Sequence, residues 1–283
     1  MNRFPFWVKK TIKISPGYEA TKQILGTYKL NTVCVNARCP NIYECFGKRY
    51  ASFMILGNIC TRSCRFCSVN HANPMPVDIQ EPQRLAEAIK QLGLMYVVIT
   101  SPTRDDLPDG GAKHFSDCIA AIRRKNLHTR IEPLIPDFKA DINNLRIVLD
   151  AKPDIISHNL ETVSSLYPWV RPQADYFGSL YILEQAKKYG MVTKSGVMVG
   201  LGETFNQVID TMKDLRDVGC DFFVIGQYLK SAPENLDVKE FIAPEVFENY
   251  REIGEKMGFQ MVFSGVFYRS SYMAERAMDS LEQ

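Results

Sequence analysis

From position 51 onward, apolar positions alternate between two spacings. Short runs rich in β-branched and aromatic residues lie at 51–56, 95–100, 129–134, 154–157, 192–199 and 222–228. Runs this short and this apolar predict strands. Between them lie 82–92, 111–124, 141–150, 176–189 and 204–218. There apolar residues return every three or four positions, which predicts amphipathic helices. Asp141 and Thr204 stand where helix N-caps belong. Strand and helix units in series predict an α/β fold with a parallel sheet and right-handed crossovers. In such a fold, active-site residues gather at the carboxyl ends of the strands.

Outside that stretch the pattern weakens. Residues 1–33 predict an irregular arm around Trp7, Val8, Lys9, Lys10 and Pro16, then a short helix over 18–25 that stops at Gly26. After Tyr228 the run Ser231, Ala232, Pro233, Glu234, Asn235 breaks the alternation. Beyond it, 244–257 reads as helix, 259–263 as extended, and the stretch from Arg269 to Leu281 ends in a helix. The chain therefore divides into an N-terminal extension (1–50), a central α/β domain (51–230) and a C-terminal extension (231–283). No repeat or low-complexity segment interrupts it.

Composition narrows the function classes. Thirty-four basic and thirty-two acidic residues leave a formal charge of +2. That is too little to argue for a nucleic acid or a membrane surface. No apolar run is long enough to span a bilayer. The opening residues have no apolar h-region behind their lone arginine, so a secretory signal is not expected and the cytoplasm is the expected compartment. Six of the eight cysteines fall between 34 and 67. Such clustering in a long chain argues for metal ligands rather than a disulfide scaffold. Cys118 shares a helical stripe with Phe115, Ile119 and Ile122 and reads as a core thiol. Cys220, between a helix and a strand, has no cysteine near it.

The candidate chemistry lies in two triplets. Cys60, Cys64 and Cys67 are spaced C-x3-C-x2-C directly after the apolar run Phe53, Met54, Ile55, Leu56, Gly57. Cys34, Cys39 and Cys45 form a C-x4-C-x5-C set, with Pro40 bending the backbone between ligands. Thiolates are soft ligands suited to iron–sulphur clusters or zinc. Three thiolates can hold three corners of a 4Fe–4S cube and leave the fourth iron open. A zinc site usually takes C-x2-C pairs and closes with a fourth ligand. A non-catalytic zinc or iron–sulphur module thus stays open from the spacing alone.

The first triplet, with aromatic Phe66 before its last cysteine, resembles the radical S-adenosylmethionine (radical SAM) superfamily. Both triplets together narrow the resemblance. Cys34 to Asn41 with Glu44 and Cys45, the Arg104–Asp105–Asp106–Leu107 and Asp109–Gly110–Gly111–Ala112 stretches, and His158–Asn159–Leu160–Glu161 are similar to the lipoyl synthase family. So are Val170–Arg171–Pro172, the run from Lys194 to Thr204, and Arg269–Ser270–Ser271–Tyr272, all in the same order. The likeness runs from about residue 5 to about residue 275. Arg38, where a smaller residue is usual, and Pro102–Thr103 depart from it, and the N-terminal arm matches loosely.

The resemblance implies a partial (β/α)6 TIM-like barrel of radical SAM type, with both extensions covering its open mouth. It implies two 4Fe–4S clusters: one on Cys60, Cys64 and Cys67 that binds SAM, and an auxiliary one on Cys34, Cys39, Cys45 and Ser271 that donates sulphur. Arg269 would then balance the charge of the auxiliary cluster or its serine ligand. Without the family, Ser270 or Ser271 would read as the N-cap of the terminal helix. Phe66, Thr100, Ser101, Asn159, Glu161, Arg171 and Gly200 are implied SAM contacts. His158 reads as a structural histidine. The Asp109–Gly110–Gly111 helix start can hold an anion, or is simply a turn.

The implied reaction is radical insertion of two sulphur atoms into an octanoyl chain on a lysine of a lipoyl carrier domain. Such carriers belong to 2-oxoacid dehydrogenase complexes or the glycine cleavage system. An iron–sulphur carrier protein and a ferredoxin- or flavodoxin-like donor are implied partners. Biotin-synthase-like thiolation of a small molecule is the alternative within the superfamily.

Overall fold

The structure is a computed structural model that describes residues 4–280. These residues pack as two units, one of 12–63 and 67–157, the other of 4–11, 64–66 and 158–280.

In the first unit α1 (Pro16–Thr27) leads to β1 (Asn31–Thr32), α2 (Val33–Asn36), α3 (Ile42–Gly47) and β2 (Ser52–Met54). The short parallel pair β3 (Ile59–Cys60) and β4 (Asn70–His71) follows, with Cys60 opposite His71. Then come α4 (Glu81–Leu92), β5 (Tyr96–Thr100), α5 (Ala112–Lys125), β6 (Arg130–Leu134), α6 (Ile142–Asp150) and β7 (Ile155–Ser157). β2, β5, β6 and β7 are successive parallel neighbours, while β1 pairs antiparallel with β2. All five residues of β5 are buried, as a strand covered on both faces requires. Phe115, Cys118, Ile119 and Ile122 on α5 are wholly buried, so the predicted stripe is core. Burial, with Glu81 and Asp117 nearby, pushes the Cys118 thiol well up.

The second unit holds α7 (Tyr167–Val170), α8 (Tyr176–Lys188), β8 (Val192–Val199), α9 (Phe205–Asp217), β9 (Phe222–Gln227), α10 (Pro244–Lys256), β10 (Met261–Ser264) and α11 (Arg276–Asp279). β8, β9 and β10 are parallel neighbours. Phe223 stacks on Phe259 at the centre of this core. Cys220 is wholly buried, and desolvation pushes its thiol up to about 12. In the arm, Lys10 lies over the rings of Phe267 and Tyr272.

The caps follow the sequence. Asp141 accepts from Asn143 N–H at 2.8 Å, and Thr204 closes a capping box with Gln207. Three expectations change. The helix expected over 18–25 begins at Pro16, whose missing N–H costs nothing at the first turn, and runs on through Gly26 to Thr27. The strand expected over 51–56 ends at Met54, because Leu56 adopts φ +65 and leaves the extended region. The terminal helix starts at Arg276 after Glu275, so neither Ser270 nor Ser271 caps it; Leu281 lies outside the described residues. Among the described residues no helix is long and apolar enough to cross a membrane.

The second cysteine triplet lies on two short helices with the same ending. After α2, Arg38 turns left-handed (φ +50), Arg38 N–H bonds Val35 O at 3.1 Å and Cys39 N–H bonds Cys34 O at 3.0 Å. After α3, Arg49 turns left-handed (φ +64), Arg49 N–H bonds Phe46 O at 3.0 Å and Tyr50 N–H bonds Cys45 O at 2.8 Å. Both are Schellman closures, and each puts a cysteine three residues from the helix end. A side chain in the left-handed region costs roughly 1–2 kcal/mol, and glycine avoids it. Arg38→Gly is therefore expected to raise stability by about 1 kcal/mol. A higher urea midpoint at unchanged slope is the readout; a lower midpoint contradicts the closure.

Candidate metal and cofactor site

Cys60 follows the left-handed residue Leu56 by four positions, and both sides of the Leu56 peptide are gripped. Its N–H donates to Glu81 Oε2 at 2.8 Å, and its carbonyl accepts from Arg104 Nη1 at 3.1 Å. Glu81 also meets His114 Nε2 at 2.7 Å, with both side chains buried. Arg104, only 2 % exposed, reaches Met75 O and forks onto Asp106, whose carboxyl it holds below the usual range. In this loop Arg104 is buried while the Asp106 that it grips stays exposed.

The next residues are tied to the same loop. Thr61 N–H and Oγ1 both donate to Thr103 O at 3.0 Å, and Asp105 N–H donates to Thr61 Oγ1 at 3.0 Å. Arg62 is 5 % exposed and is held by two carboxylates. Nε and Nη2 donate to Asp105 at 2.7 and 3.0 Å; Nη1 and Nη2 donate to Asp137 at 2.6 and 2.8 Å. Burial alone disfavours the Arg62 charge, but these bonds outweigh it and push the guanidinium above its ordinary value. With the chain held this way, Cys60 Sγ accepts N–H bonds from Arg62 at 3.4 Å and Thr103 at 3.3 Å. Cys67 Sγ accepts from Val69 N–H at 3.4 Å.

All eight cysteines are outside disulfides. Amides aimed at sulphur hold it in place, and cysteine sulphur is the donor that a cluster binds. This donor set fits a thiolate-bound iron–sulphur cluster. Among the described residues no three Cys, His, Asp or Glu side chains converge on one ion position. A cube asks for a different arrangement, with thiolates set apart at separate irons. In the second triplet, desolvation and the neighbouring Cys39 push the Cys34 thiol up to about 11, against hydrogen bonds from Ser52. A metal there must displace a proton.

The implied cofactor contacts fall in both units. In the first, Thr100 Oγ1 donates to Leu134 O at 2.9 Å, so its hydroxyl serves the β5–β6 pair. Ser101 Oγ is buried and has no partner among the described residues. In the second, Phe66 packs against Val170, Leu201, Tyr228 and Leu236, and Arg65 N–H donates to Val170 O at 3.0 Å. Gly200 N–H is taken by Glu203 Oε1.

Asn159, Glu161, Arg171, Arg269 and Ser270 gather in this same unit. Glu161 adopts φ +69 and bridges to β8, its N–H on Gly196 O and its carbonyl accepting from Met198 N–H, both at 2.9 Å. Its Oε1 accepts from Asn159 Nδ2 at 3.0 Å. Desolvation raises its carboxyl, while Arg171, Asn159 and Arg269 pull the other way. Arg171 Nη1 is bound by Asn159 O, Leu160 O and Tyr167 Oη at 3.0, 3.1 and 2.7 Å. Asn159 Oδ1 accepts from Ser270 Oγ at 2.7 Å. The first serine of the motif is therefore committed to Asn159, while Ser271 hydroxyl makes no hydrogen bond among the described residues. His158, 2 % exposed, is anchored by its N–H to Lys194 O at 3.0 Å.

Two strand glycines admit the serine motif. A Cβ on Gly196 would stand 3.2 Å from both Asn159 Oδ1 and Ser270 Oγ. One on Gly226 would stand 2.1 Å from Tyr268 O and 2.8 Å from Arg269 Nη1, and Arg269 Nη1 itself donates to Tyr268 O at 2.6 Å. Sequence reasoning passed over Arg62, Glu81, Asp137, Gly226 and the Ser270 bond. Only Arg62 carried a signal, as a charge between cysteines of the first triplet; Asp137 stands alone in the sequence.

The radical SAM superfamily model matches residues 54–215. Lipoyl synthase of Caldicellulosiruptor bescii is 49% identical over 98% of this chain and 96% of its own. Lipoyl synthase of Caldanaerobacter subterraneus is 51% identical over 96% of each chain. Lipoyl synthase of Alkaliphilus metalliredigens is 48% identical over 100% of this chain and 98% of its own. Among solved structures, methylornithine synthase aligns with TM-score 0.57 at 15% identity over 85% of this chain and 68% of that one. The FeFe-hydrogenase maturase HydG from Carboxydothermus hydrogenoformans gives 0.58 at 14% over 98% and 72%. These show the α/β radical SAM fold. With both cysteine triplets present and near-half identity along almost the whole length, the chain belongs to the lipoyl synthase family, whose members are sulphur-inserting enzymes of the radical SAM superfamily.

Proposed function

We propose that this chain inserts two sulphur atoms into the octanoyl chain on a lysine of a lipoyl carrier domain, with SAM as the radical source. Cys60, Cys64 and Cys67 hold the SAM-binding 4Fe–4S cluster. Cys34, Cys39 and Cys45 hold a second cluster that is the sulphur-donating substrate, with Ser271 as its fourth ligand and Arg269 balancing charge. The stretches 1–50 and 231–283 are the extensions that carry this second set. When bound, cluster and SAM supply a carbon radical able to take hydrogen from an unactivated carbon.

The chain supplies position, charge and exclusion of water. The observation that carries the reading is the set of amides on sulphur: Arg62 and Thr103 on Cys60, Val69 on Cys67. Such bonds orient metal ligands and tune the site they form. Asn159, Glu161 and Arg171 are assigned to the cofactor's polar groups, and Phe66, Thr100, Ser101 and Gly200 to its borders. Ser270, bound to Asn159, supports the choice of Ser271 over Ser270 as ligand. A serine alkoxide is a harder ligand than thiolate, so its iron is the one most readily released as sulphide leaves. The carriers are those of 2-oxoacid dehydrogenase complexes and the glycine cleavage system. An iron–sulphur carrier protein rebuilds the donor cluster, and a ferredoxin- or flavodoxin-like protein supplies electrons.

Anaerobically reconstituted, reduced protein given SAM and an octanoyl-lysyl peptide is expected to form 5′-deoxyadenosine and a peptide heavier by two sulphurs. No SAM cleavage rejects the enzyme reading in favour of a metal-binding module. Cleavage without sulphur gain on the peptide rejects the carrier substrate and favours a small free molecule.

Ser271→Ala is expected to keep SAM cleavage and lose most thiolation. Ser270→Ala, which frees Asn159, is expected to weaken SAM binding instead, by about tenfold for one lost hydrogen bond at a polar site. Thiolation by Ser271→Ala equal to the parent chain would reassign the fourth ligand.

A further inference from the structure

The segment between Cys60 and Cys64 contains one buried charge, Arg62, and the protein spends two carboxylates on it. Nε, Nη1 and Nη2 are all bound, in four bonds of 2.6–3.0 Å, to Asp105 and Asp137. A guanidinium gripped along two edges cannot rotate, and this narrows the positions open to its Cα and the amide beside it. That amide is the one donating to Cys60 Sγ at 3.4 Å. Asp105 is in turn tied to Thr61 Oγ1 through its own N–H at 3.0 Å.

The second carboxylate is held at a conformational cost. Asp137 is followed by three side-chain-bearing residues in the left-handed region: Phe138 (φ +44), Lys139 (φ +53) and Ala140 (φ +59). Left-handed residues occur singly as a rule, because Cβ crowds the following carbonyl. This turn is closed by Ala140 N–H on Asp137 O at 2.8 Å and Asp141 N–H on Phe138 O at 3.0 Å. Phe138 is buried and meets the edge of Phe115. Asp137 Oδ1 also accepts from Lys139 N–H at 3.0 Å. Strain of this kind persists only where the surroundings overdetermine it, and it concentrates at functional sites. Here it presents one carboxylate to Arg62.

We infer that Arg62 is a positioning residue for the Cys60/Cys64/Cys67 site, and that Asp105 and Asp137 are its anchors. Its fork sets the loop in the geometry that receives iron before any iron arrives, and it keeps the Arg62 amide on Cys60 sulphur afterwards. The inference rests on the reading of this triplet as the SAM-binding cluster.

The test compares the parent chain with Arg62→Met, of similar length without charge, and Arg62→Lys, which keeps the charge but not the fork. Three readouts are taken: thermal unfolding of metal-free protein, the rate at which a chelator strips iron from each triplet, and the EPR spectrum of the reduced protein with and without SAM. Each is repeated with Cys34, Cys39 and Cys45 changed to Ala, so that only the first triplet can hold iron. Arg62→Met is expected to unfold cooperatively and keep iron on the second triplet. It should lose iron from the first about 10- to 100-fold faster, the usual size of a loss behind the ligands, and its spectrum should stop responding to SAM. Arg62→Lys should fall between the two.

Parent-like iron retention and a parent-like SAM response in Arg62→Met overturn the inference. So does equal loss from both triplets with collapse of the unfolding transition in both variants, because Arg62 then serves the fold as a whole. If the parent chain itself holds no iron on the first triplet, the underlying reading fails and takes this one with it. The parent control alone separates that result from the others.

Discussion

A buried cation between two carboxylates is the constraint on which the first cysteine loop depends. Taking Arg62 and Asp137 out of water is costly, and their attraction rarely recovers more than that cost. Apolar residues of similar volume often serve stability equally well, whereas removing one partner of such a group costs about 3–5 kcal/mol. Arg62 is therefore poorly explained as a stabiliser and well explained as a fixture. Hydrophobic contacts attract without direction; a fork on two carboxylates holds one orientation. The Leu56 peptide, gripped by Glu81 and Arg104 on opposite sides, extends the same logic upstream. Together they hold a left-handed backbone residue and a charged loop in register with β5.

The serine motif is held by different means. There the strands yield space rather than supply charge. Gly196 on β8 and Gly226 on β9 carry no side chain where Ser270 and Tyr268 approach, and Ser270 closes the contact through Asn159. The carboxylate of Glu161 lies at the end of that chain of bonds, its charge disfavoured by burial and favoured by Arg171 and Arg269. Asn159, Glu161 and the tail motif thus share one hydrogen-bonded network, so a change in either is felt by the other.

Much of this was legible in the sequence. The alternation of periods marks the parallel strands, because a strand covered on both faces is apolar throughout, and β5 is the clear case. Asp141 and Thr204 show as caps because capping is local. The two cysteine triplets stand out for the same reason, since their spacing is local. What was not legible is what depends on distant partners. Nothing near Asp137 says that it meets Arg62, seventy-five positions away. Thr100 carries no mark that its hydroxyl belongs to Leu134. The end of β2 was missed because Leu56 is a good strand residue; the left-handed turn is imposed by Glu81 and Arg104.

The two Schellman closures have a consequence of their own. Cys34 and Cys45 each sit where a short helix is already ending, on backbone whose carbonyl is bonded by the residue just past the left-handed arginine. Each cysteine therefore rides on a closed loop of main chain rather than on a free helical tip. On the proposed function, a cluster consumed there would leave behind a cradle whose main-chain bonds do not depend on it. Repair would then be a matter of delivering inorganic parts to a waiting mould, with no refolding in between.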